Sequence, residues 1–262
     1  GFDWVAASFV GGSSGTFTLS MPATAFINGT QYRTESRAFD VPGNLSLLGA
    51  PTDWTYDTSL PNSSVSTPTV SGMINAITAV QGTAFDPTPG TPATVYVSLR
   101  RTPGDGFYWN GSTWTSGAEL WNPAAGAASW TYSVPNSSFS TGQSFVAKSK
   151  AVDSATNEEV PSGGNPFDYD NTPPASSVTT PGAVTWVSSL ATVSGTSNDV
   201  GLGVQEASVS IRTGALYWSG SGFVGVETWR QANATNPWTY PYGGDGIPPW
   251  AHGSTYEIRS RV

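Results

Sequence analysis

Alternation of apolar and polar positions is the main pattern of this chain, and it is clearest in one segment that occurs three times. Phe145, Ala147, Ser149 and Ala151 alternate with Val146, Lys148 and Lys150. The segments Tyr32–Ala38 and Tyr256–Val262 alternate in the same way, with their charged side chains on one side only. Each segment is therefore predicted to be a β-strand with one buried face. We interpret the charged side as a solvated face, and a ligand-binding stripe is the alternative.

Turn-forming sequences separate these alternating runs at short intervals. Examples are Asn110-Gly111, Asn198-Asp199 and Gly243-Gly244-Asp245-Gly246. Such residues end strands and open hairpins, because they tolerate the backbone angles that tight turns need. No segment shows an apolar stripe with helical spacing over a useful length. The chain is therefore predicted to be all-β, with antiparallel strands joined by hairpins.

An internal repeat organises these strands. Tyr56–Pro68 (YDTSLPNSSVSTP) returns as Tyr169–Pro181 (YDNTPPASSVTTP), 113 positions later. Val80–Thr83 (VQGT) and Val193–Thr196 (VSGT) match at the same spacing. Self-similarity at a fixed period is the pattern of a tandem array, in which each copy is one folding unit.

A third copy lies at the N-terminus, where only its later half is visible. Phe17-Thr18-Leu19 aligns with Trp130-Thr131-Tyr132 of the next copy. We predict a first repeat over residues 1–59 (a C-terminal half), a complete second repeat over residues 60–172, and a third repeat over residues 173–262 that lacks its last strand. Since half a sandwich would leave a core face open, we expect this sequence to be part of a longer protein, or strands from a neighbouring copy to complete it.

Composition narrows the class of protein. Only 11% of the residues are charged, against about 25% in an average soluble domain, while Gly 30 and Pro 20 favour turns. The net charge of −8 provides no basic surface for nucleic acid or an anionic membrane, and no apolar run is long enough for membrane insertion. The absence of cysteine excludes disulfides and thiolate metal sites.

Several segments carry a family resemblance. VQGTAFD, VYVSLRR, FYWNGSTW, SWTYSVP, TGQSFVAKSKAVDSATNEE and FDYDNTPP resemble the bacterial immunoglobulin-like repeats of very large secreted and cell-surface proteins. The resemblance covers nearly the whole chain, and it implies tandem immunoglobulin-like antiparallel β-sandwiches in an extracellular or cell-surface location. It is poorly specific for function, because such repeats serve as stalks, adhesins and filament subunits alike.

The recurring aromatic element Tyr-Trp-Asn-Gly-Ser-x-Trp has two interpretations. Trp109, Trp114 and Trp218 could stack on sugar rings in a carbohydrate-binding module. Recurrence in successive copies favours a role in building each sandwich, since residues that the fold needs recur with the fold. We favour core packing and keep sugar stacking as the alternative.

Acidic residues gather near the predicted repeat boundaries. Asp153, Asp168 and Asp170 are the candidate ligands for a junction calcium ion in the second repeat, and Asp40 and Asp57 lie in the corresponding part of the first. Carboxylate oxygens suit calcium, which would stiffen an array against bending. The spacing matches no strict calcium-loop motif, and the alternative is that these residues only start turns. No other cofactor is expected.

Catalytic motifs are weak. Gly11-Gly12-Ser13-Ser14-Gly15 formally satisfies G-x-S-x-G, but the only histidine, His252, is far away in another repeat. A nucleophile elbow also needs a strand, a sharp turn and a helix. We therefore expect a Gly/Ser loop, no enzyme activity and no catalytic residue.

Asparagines in N-x-S/T sequences are candidate glycosylation sites, with turn formation as the alternative. They are Asn28, Asn44, Asn62, Asn110, Asn136 and Asn233. The leading hypothesis is a structural repeat segment of a surface stalk, sheath or filament that assembles with itself. The alternatives are an adhesin that binds cell-surface glycans or proteins, and a non-catalytic accessory region of a secreted hydrolase.

Overall fold

The computed structural model describes residues 4–102, 106–115 and 117–262, and these residues form strands joined by turns, with two short 3-10 helices. The first repeat contains a 3-10 helix over Ala23–Ala25. Its strands are β1 (Ser8–Gly11), β2 (Gly15–Thr18), β3 (Gln31–Thr34) and β4 (Thr52–Thr55). β1 pairs with β2 and β3 pairs with β4, both antiparallel.

The second repeat is a two-sheet sandwich. Its strands are β5 (Asn62–Thr67), β6 (Gly72–Ile74), β7 (Ala79–Phe85), β8 (Pro92–Thr102), β9 (Tyr108–Trp109), β10 (Trp114–Thr115), β11 (Asn122–Pro123), β12 (Ala125–Gly126), β13 (Ser129–Ser133), β14 (Gln143–Asp153) and β15 (Asn165–Tyr169). The second 3-10 helix, Asn136–Ser138, lies between β13 and β14. One sheet has the order β12-β13-β7-β5 and the other β10-β9-β8-β14-β15-β6, with β11 on β8.

The third repeat uses the same plan with fewer strands. Its strands are β16 (Ala175–Thr180), β17 (Val193–Asn198), β18 (Ser208–Thr213), β19 (Leu216–Trp218), β20 (Phe223–Val224), β21 (Arg230–Gln231), β22 (Trp238–Tyr240) and β23 (Glu257–Arg261). One sheet has the order β16-β17-β22, and the other the order β20-β19-β18-β21 with β23 on β18. The predicted fold class, tandem immunoglobulin-like β-sandwiches, is confirmed.

One strand pair departs from the predicted antiparallel pattern. β6 runs parallel to β15, with Phe167 opposite Gly72 and Tyr169 opposite Ile74. The chain reaches β6 by crossing from β5 in the opposite sheet, so the two ends of the second repeat lie side by side. No turn motif marks such a pair in the sequence, because its strands are far apart along the chain.

The register of the first two strands repeats with the sequence. Asn62 lies opposite Phe85 in the β5–β7 pair, and one repeat period later Ala175 lies opposite Asn198 in the β16–β17 pair. Both pairs also shift register at the same place, between Val65 and Thr67 and between Val178 and Thr180. The sequence repeat is therefore a repeat of backbone pairing as well.

Four aromatic rings pack together across β3 and β4 in the first repeat. The Phe26 ring lies 5.2 Å from Tyr32 and 5.4 Å from Tyr56, and Tyr32 stacks on Trp54 at 5.0 Å. Such offset and edge contacts stabilise aromatic clusters beyond the burial of their area.

The second repeat has the same cluster at the equivalent positions, and there it is part of the core. The Phe139 ring lies 4.9 Å from Phe145 and 5.5 Å from Tyr169, and Phe145 stacks on Phe167 at 5.5 Å. All four of these rings are buried, whereas their first-repeat counterparts are only half-buried. The difference follows from the strands β5–β11, whose counterparts do not occur among the described residues of the first repeat.

The predicted strand at Tyr32–Ala38 is shorter than expected. β3 covers only Gln31–Thr34 and pairs with β4 alone, whereas β14 is paired along nearly its whole length with β8. Backbone groups keep strand geometry only where a partner satisfies them. The segment Tyr32–Ala38 thus has the alternating pattern, but among the described residues it has a hydrogen-bonded strand on one side only, whereas β14 has one on each side.

A glycine and a tryptophan face each other in both sandwiches. A Cβ on Gly82 would overlap the Trp130 ring and the Ser64 carbonyl, and a Cβ on Gly195 would overlap Trp238 in the same way. The bare backbone of β7 and β17 therefore lets the indole of the hydrogen-bonded neighbouring strand pack directly against it. Both tryptophans are buried. No helix in the described part of the chain is long and apolar enough to cross a membrane.

We predict that Gly82→Ala lowers the free energy of unfolding by about 1–3 kcal/mol, because the added methyl group forces the Trp130 ring out of its position. Chemical denaturation followed by tryptophan fluorescence measures this. Gly163→Ala is the matched control, because nothing lies within 4 Å of the place that its Cβ would take. Equal stability of the two variants would contradict the packing described.

Candidate functional site

The linker between the first two repeats runs from β4 to β5, and we call its surroundings the first junction. The Nδ2 group of Asn157, in the loop after β14, donates a hydrogen bond to the Asp57 carbonyl at 3.2 Å. A Cβ on Gly29 of the first repeat would lie 3.9 Å from the Pro89 ring of the second. Loops of both repeats therefore meet at the linker.

Three carboxylates converge at this junction from separate parts of the chain. Asp57 lies in the linker, Asp86 follows the last residue of β7, and Asp153 is the last residue of β14. One carboxylate oxygen from each lies within 4.8 Å of the other two. In the described part of the chain none of the three has an ion-pair partner.

Asp86 is the least satisfied member of this trio. The residue is only 4% exposed, and neither carboxylate oxygen has a hydrogen-bond partner. Burial, and then the charges of Asp153 and Asp57, raise the pKa of Asp86 above its ordinary value. Buried polar atoms in native proteins are nearly always paired, so an unpaired buried carboxylate indicates a missing partner. The geometry provides a place for a cation.

Two features shape the space around Asp86. A Cβ on Gly90 would overlap the carboxylates of Asp86 and Asp57, so glycine is needed for both to approach the loop after β7. Asp153 is 2% exposed and accepts hydrogen bonds from the backbone and the Nδ2 group of Asn157, both at 2.7 Å. These bonds hold the Asp153 carboxylate at the junction.

The same aspartate–asparagine loop occurs in the first repeat. Asp40 accepts hydrogen bonds from the backbone and side chain of Asn44 at 2.6 and 2.7 Å. These hydrogen bonds lower the pKa of the exposed Asp40 carboxyl. The loop is thus a recurring turn, and at the first junction its aspartate, Asp153, also faces Asp57 and Asp86.

The predicted calcium ligands separate in the structure. Asp153 belongs to the trio, but Asp168 lies on β15 and binds the Ser144 hydroxyl, and Asp170 lies in the next linker. The cluster of carboxylates thus contains Asp57 and Asp86 in place of Asp168 and Asp170, and calcium binding stays a prediction. Asp86 was missed because no other acidic residue lies near it in the sequence. The feature that could have identified it is its position directly after the repeated strand β7, facing the acidic linker.

The predicted sugar-stacking residues Trp109 and Trp218 are core residues, so that interpretation is wrong for them. They are 2% and 4% exposed, and their indole N–H groups donate to the hydroxyls of Tyr132 and Tyr240 at 3.0 Å. Neither ring has a free face for a sugar. Trp114 is half-buried, packs against Phe145, and donates to the Ser138 carbonyl at 2.6 Å.

Two half-buried tryptophans on the outer faces of the sandwiches make cation–π contacts with charged side chains. The Lys150 ammonium lies 5.0 Å from the Trp121 ring centre, and the Arg261 guanidinium lies 4.5 Å from that of Trp229. Cation–π contacts of this kind stabilise exposed sites by roughly 0.5–1 kcal/mol. The charged face of the long strand is therefore in contact with aromatic rings.

Five of the six candidate glycosylation asparagines make side-chain hydrogen bonds within the protein. The side-chain oxygens of Asn28, Asn110, Asn136 and Asn233 accept backbone N–H groups, and Asn44 donates to Asp40. Asn62 lies exposed on β5. Local turns thus account for Asn44, Asn110 and Asn233, whereas Asn28 and Asn136 join segments that are distant in the sequence, and glycosylation stays a prediction.

The G-x-S-x-G sequence forms a hairpin. Gly11 ends β1, Gly15 begins β2, and these two residues face each other in the antiparallel pair. The next element is the short 3-10 helix Ala23–Ala25, so the strand-turn-helix geometry of a nucleophile elbow is not formed. His252 lies in a turn of the third repeat.

Two solved structures are distantly similar to this chain. No protein-family model and no curated protein match the sequence. Among solved structures, fibronectin(III)-like modules of Clostridium thermocellum CbhA are similar at 14% identity and a TM-score of 0.35, over 68% of this chain and 77% of that one. A tetra-tandem repeat in the extending region of a large adhesion protein is similar at 19% identity and a TM-score of 0.34, over 95% of this chain and 60% of that one. Likenesses this distant do not transfer a function.

We predict that the stability of the third repeat falls as the pH rises from about 10 to about 12. Burial, and then the charge of Asp245, raise the pKa of Tyr240 to about 12 from an ordinary value of 10. The folded protein therefore keeps this proton in a range where the unfolded chain loses it, and unfolding becomes easier. Urea unfolding at several pH values should show a shallower fall for Tyr240→Phe, and equal slopes would contradict the prediction.

Proposed function

We propose that this chain is a structural segment of an extracellular surface protein, in which immunoglobulin-like repeats are held end to end by fixed junctions. Its task is to set the spacing and orientation of whatever the repeats connect, and this task needs no catalytic group. The proposal is supported by contacts between repeats that recur at equivalent positions along the chain.

These recurring junction contacts carry the proposal. At the first junction the Asn28 side-chain oxygen accepts the Thr58 N–H at 2.8 Å. At the second junction, the linker between β15 and β16, the Thr141 hydroxyl accepts the Asn171 N–H at 2.9 Å, and both partners stand at the equivalent positions of the next repeat. The linkers are thus bonded to the preceding repeat in the same way, which favours a defined angle between neighbours.

Contacts with the following repeat recur as well. Gly29 approaches Pro89 at the first junction, and Gly142 approaches Gly201 at the second, where a Cβ would lie 3.7 Å from the Gly201 Cα. Gly29 and Gly142 both have positive φ, and they open the turn toward the next repeat. A linker bonded on one side and packed on the other restricts bending.

The trio Asp57, Asp86 and Asp153 is proposed to bind a divalent cation, calcium in particular. Three carboxylates supply up to about six oxygen atoms, and calcium takes about 6–8 oxygen ligands with water completing the shell. The cation would offset most of the negative charge and give both Asp86 oxygens a partner. Asp57 belongs to the linker, whereas Asp86 and Asp153 belong to the second repeat. The ion would therefore join the linker to the second repeat.

The chemistry of such a site agrees with an extracellular location. Calcium sites of extracellular modules bind with dissociation constants of roughly 0.1–1 mM, which suits the calcium concentration outside cells. A site assembled from a linker and two loops depends on the junction for its geometry, so a moderate affinity is expected.

We predict that calcium chloride binds to the chelator-treated chain in isothermal titration calorimetry with a dissociation constant of roughly 0.1–1 mM and that Asp86→Asn weakens binding about tenfold or more. The substitution removes the charge of the buried member while keeping its size. Asp57→Asn should have the same effect through a residue that is not buried in a sandwich.

Asp168→Asn is the matched control, since it removes one negative charge from the same repeat outside the trio. It should bind calcium like the parent chain. Equal losses in all three variants would mean that the net charge alone attracts calcium, and the proposed site would be wrong. Magnesium chloride in place of calcium chloride should bind more weakly, because magnesium demands a tighter octahedral shell.

Small-angle X-ray scattering tests the structural role itself. We predict an extended particle in calcium chloride, and a broader distribution of interatomic distances for Asp170→Ala, which removes the hydrogen-bond acceptor of the second linker. Asp168→Ala should leave the curve unchanged. A compact particle, or scattering from the parent chain that fits freely hinged repeats, would contradict the proposal of fixed junctions.

A further inference from the structure

At the second junction, each of the two carboxylates accepts at least one backbone N–H group of the chain. Asp170 of the linker accepts the Leu202 N–H of the third repeat at 2.6 Å and the Thr172 N–H at 3.0 Å. Asp199, just after β17, is half-buried and accepts the Gly203 N–H with Oδ2 at 2.8 Å, while its Oδ1 is buried without a hydrogen-bond partner. The hydrogen bonds to Asp170 lower the pKa of its carboxyl, the Leu202 N–H having the largest effect.

The first junction has the same carboxylates but lacks these donors. Asp57 and Asp86 stand one repeat period before Asp170 and Asp199, and the position of Leu202 is taken by Pro89. Proline has no backbone N–H, so Asp57 keeps only the linker bond, from the Ser59 N–H at 2.9 Å. The contact between repeats that Asp170 makes is therefore chemically impossible for Asp57.

Asp86, the counterpart of Asp199, also lacks a backbone donor. The Gly90 N–H, which corresponds to that of Gly203, donates to the Pro87 carbonyl at 2.9 Å instead of to Asp86. Asp86 is left buried with both oxygens unpaired. Asp153 lies beside these two carboxylates, with one oxygen of each of the three within 4.8 Å of the others.

We infer that the two junctions are fixed by different means: the first by a bound divalent cation, and the second by its own backbone hydrogen bonds, without a cation. The inference rests on the proposed cation site and adds a regulatory property to it. Removing the cation loosens one defined hinge, between the first and second repeats, and leaves the second and third repeats locked together. Calcium concentration then controls bending at one point of the array.

Two spin-label pairs measure the junctions separately, because the chain has no cysteine of its own. Exposed serines are replaced by labelled cysteines, Ser20 with Ser133 across the first junction and Ser133 with Ser254 across the second. Electron–electron double resonance is recorded in chelator and in calcium chloride. We expect the first pair to give a distance distribution at least about twice as broad in chelator as in calcium, and the second pair to be equally narrow in both.

Leu202→Pro and Leu202→Ala are the matched variants. Leu202→Pro removes the N–H that Asp170 accepts, so the second pair should broaden in either condition. Leu202→Ala keeps the N–H and should leave the second pair narrow. Asp86→Asn should abolish the effect of calcium on the first pair, while Asp168→Asn should keep it.

The outcomes separate this inference from the proposed function. If calcium narrowed the distance distributions at both junctions, or at the second junction alone, the inference would be overturned. The proposal that cations join repeats in an array would then still stand. Narrow distributions at both junctions in chelator would overturn it as well, while fixed junctions would stand. Broad distributions at both junctions in both conditions would overturn the proposed function itself.

Discussion

An ionised carboxylate that is removed from water needs hydrogen-bond donors or a cation beside it, and the carboxylates at both junctions of this chain are partly or fully removed from water. In each sandwich an aspartate directly follows β7 or β17, and each linker carries another. Loops of two repeats come together where these carboxylates meet. How the carboxylates are satisfied therefore determines how firmly one repeat is joined to the next.

The sandwiches supply the rigid parts on which the junctions depend. Trp130 and Trp238 lie across glycines of the adjacent strand, and the aromatic clusters around Phe26 and Phe139 hold the late strands together. Because β7 and β14 are core strands, Asp86 and Asp153 at their ends are carried by ordered backbone. The site then gains its third member, Asp57, only when the linker is in place. The proposed cation binding would therefore depend on the junction and not on either repeat alone.

Much of the fold followed from the sequence, because the constant repeat offset and the alternating strands reflect backbone pairing directly. The junction chemistry did not follow, since it depends on which N–H groups face a carboxylate after folding. Asp168 and Asp170 were close to Asp153 in sequence, yet β15 carries them away from it, and Asp86 reaches it from the opposite sheet. Trp109 and Trp218 were ambiguous until burial placed them in the cores. The replacement of Leu202 by Pro89 acquires meaning only once Asp170 is seen to accept that N–H.

Anomalous X-ray diffraction from crystals of the chain grown in calcium chloride shows which carboxylates hold a cation. We predict one strong anomalous peak among the oxygens of Asp57, Asp86 and Asp153, and none between Asp170 and Asp199, where each carboxylate accepts a backbone N–H group. A peak at the second junction, or an ordered water network in place of a peak at the first, would contradict this prediction.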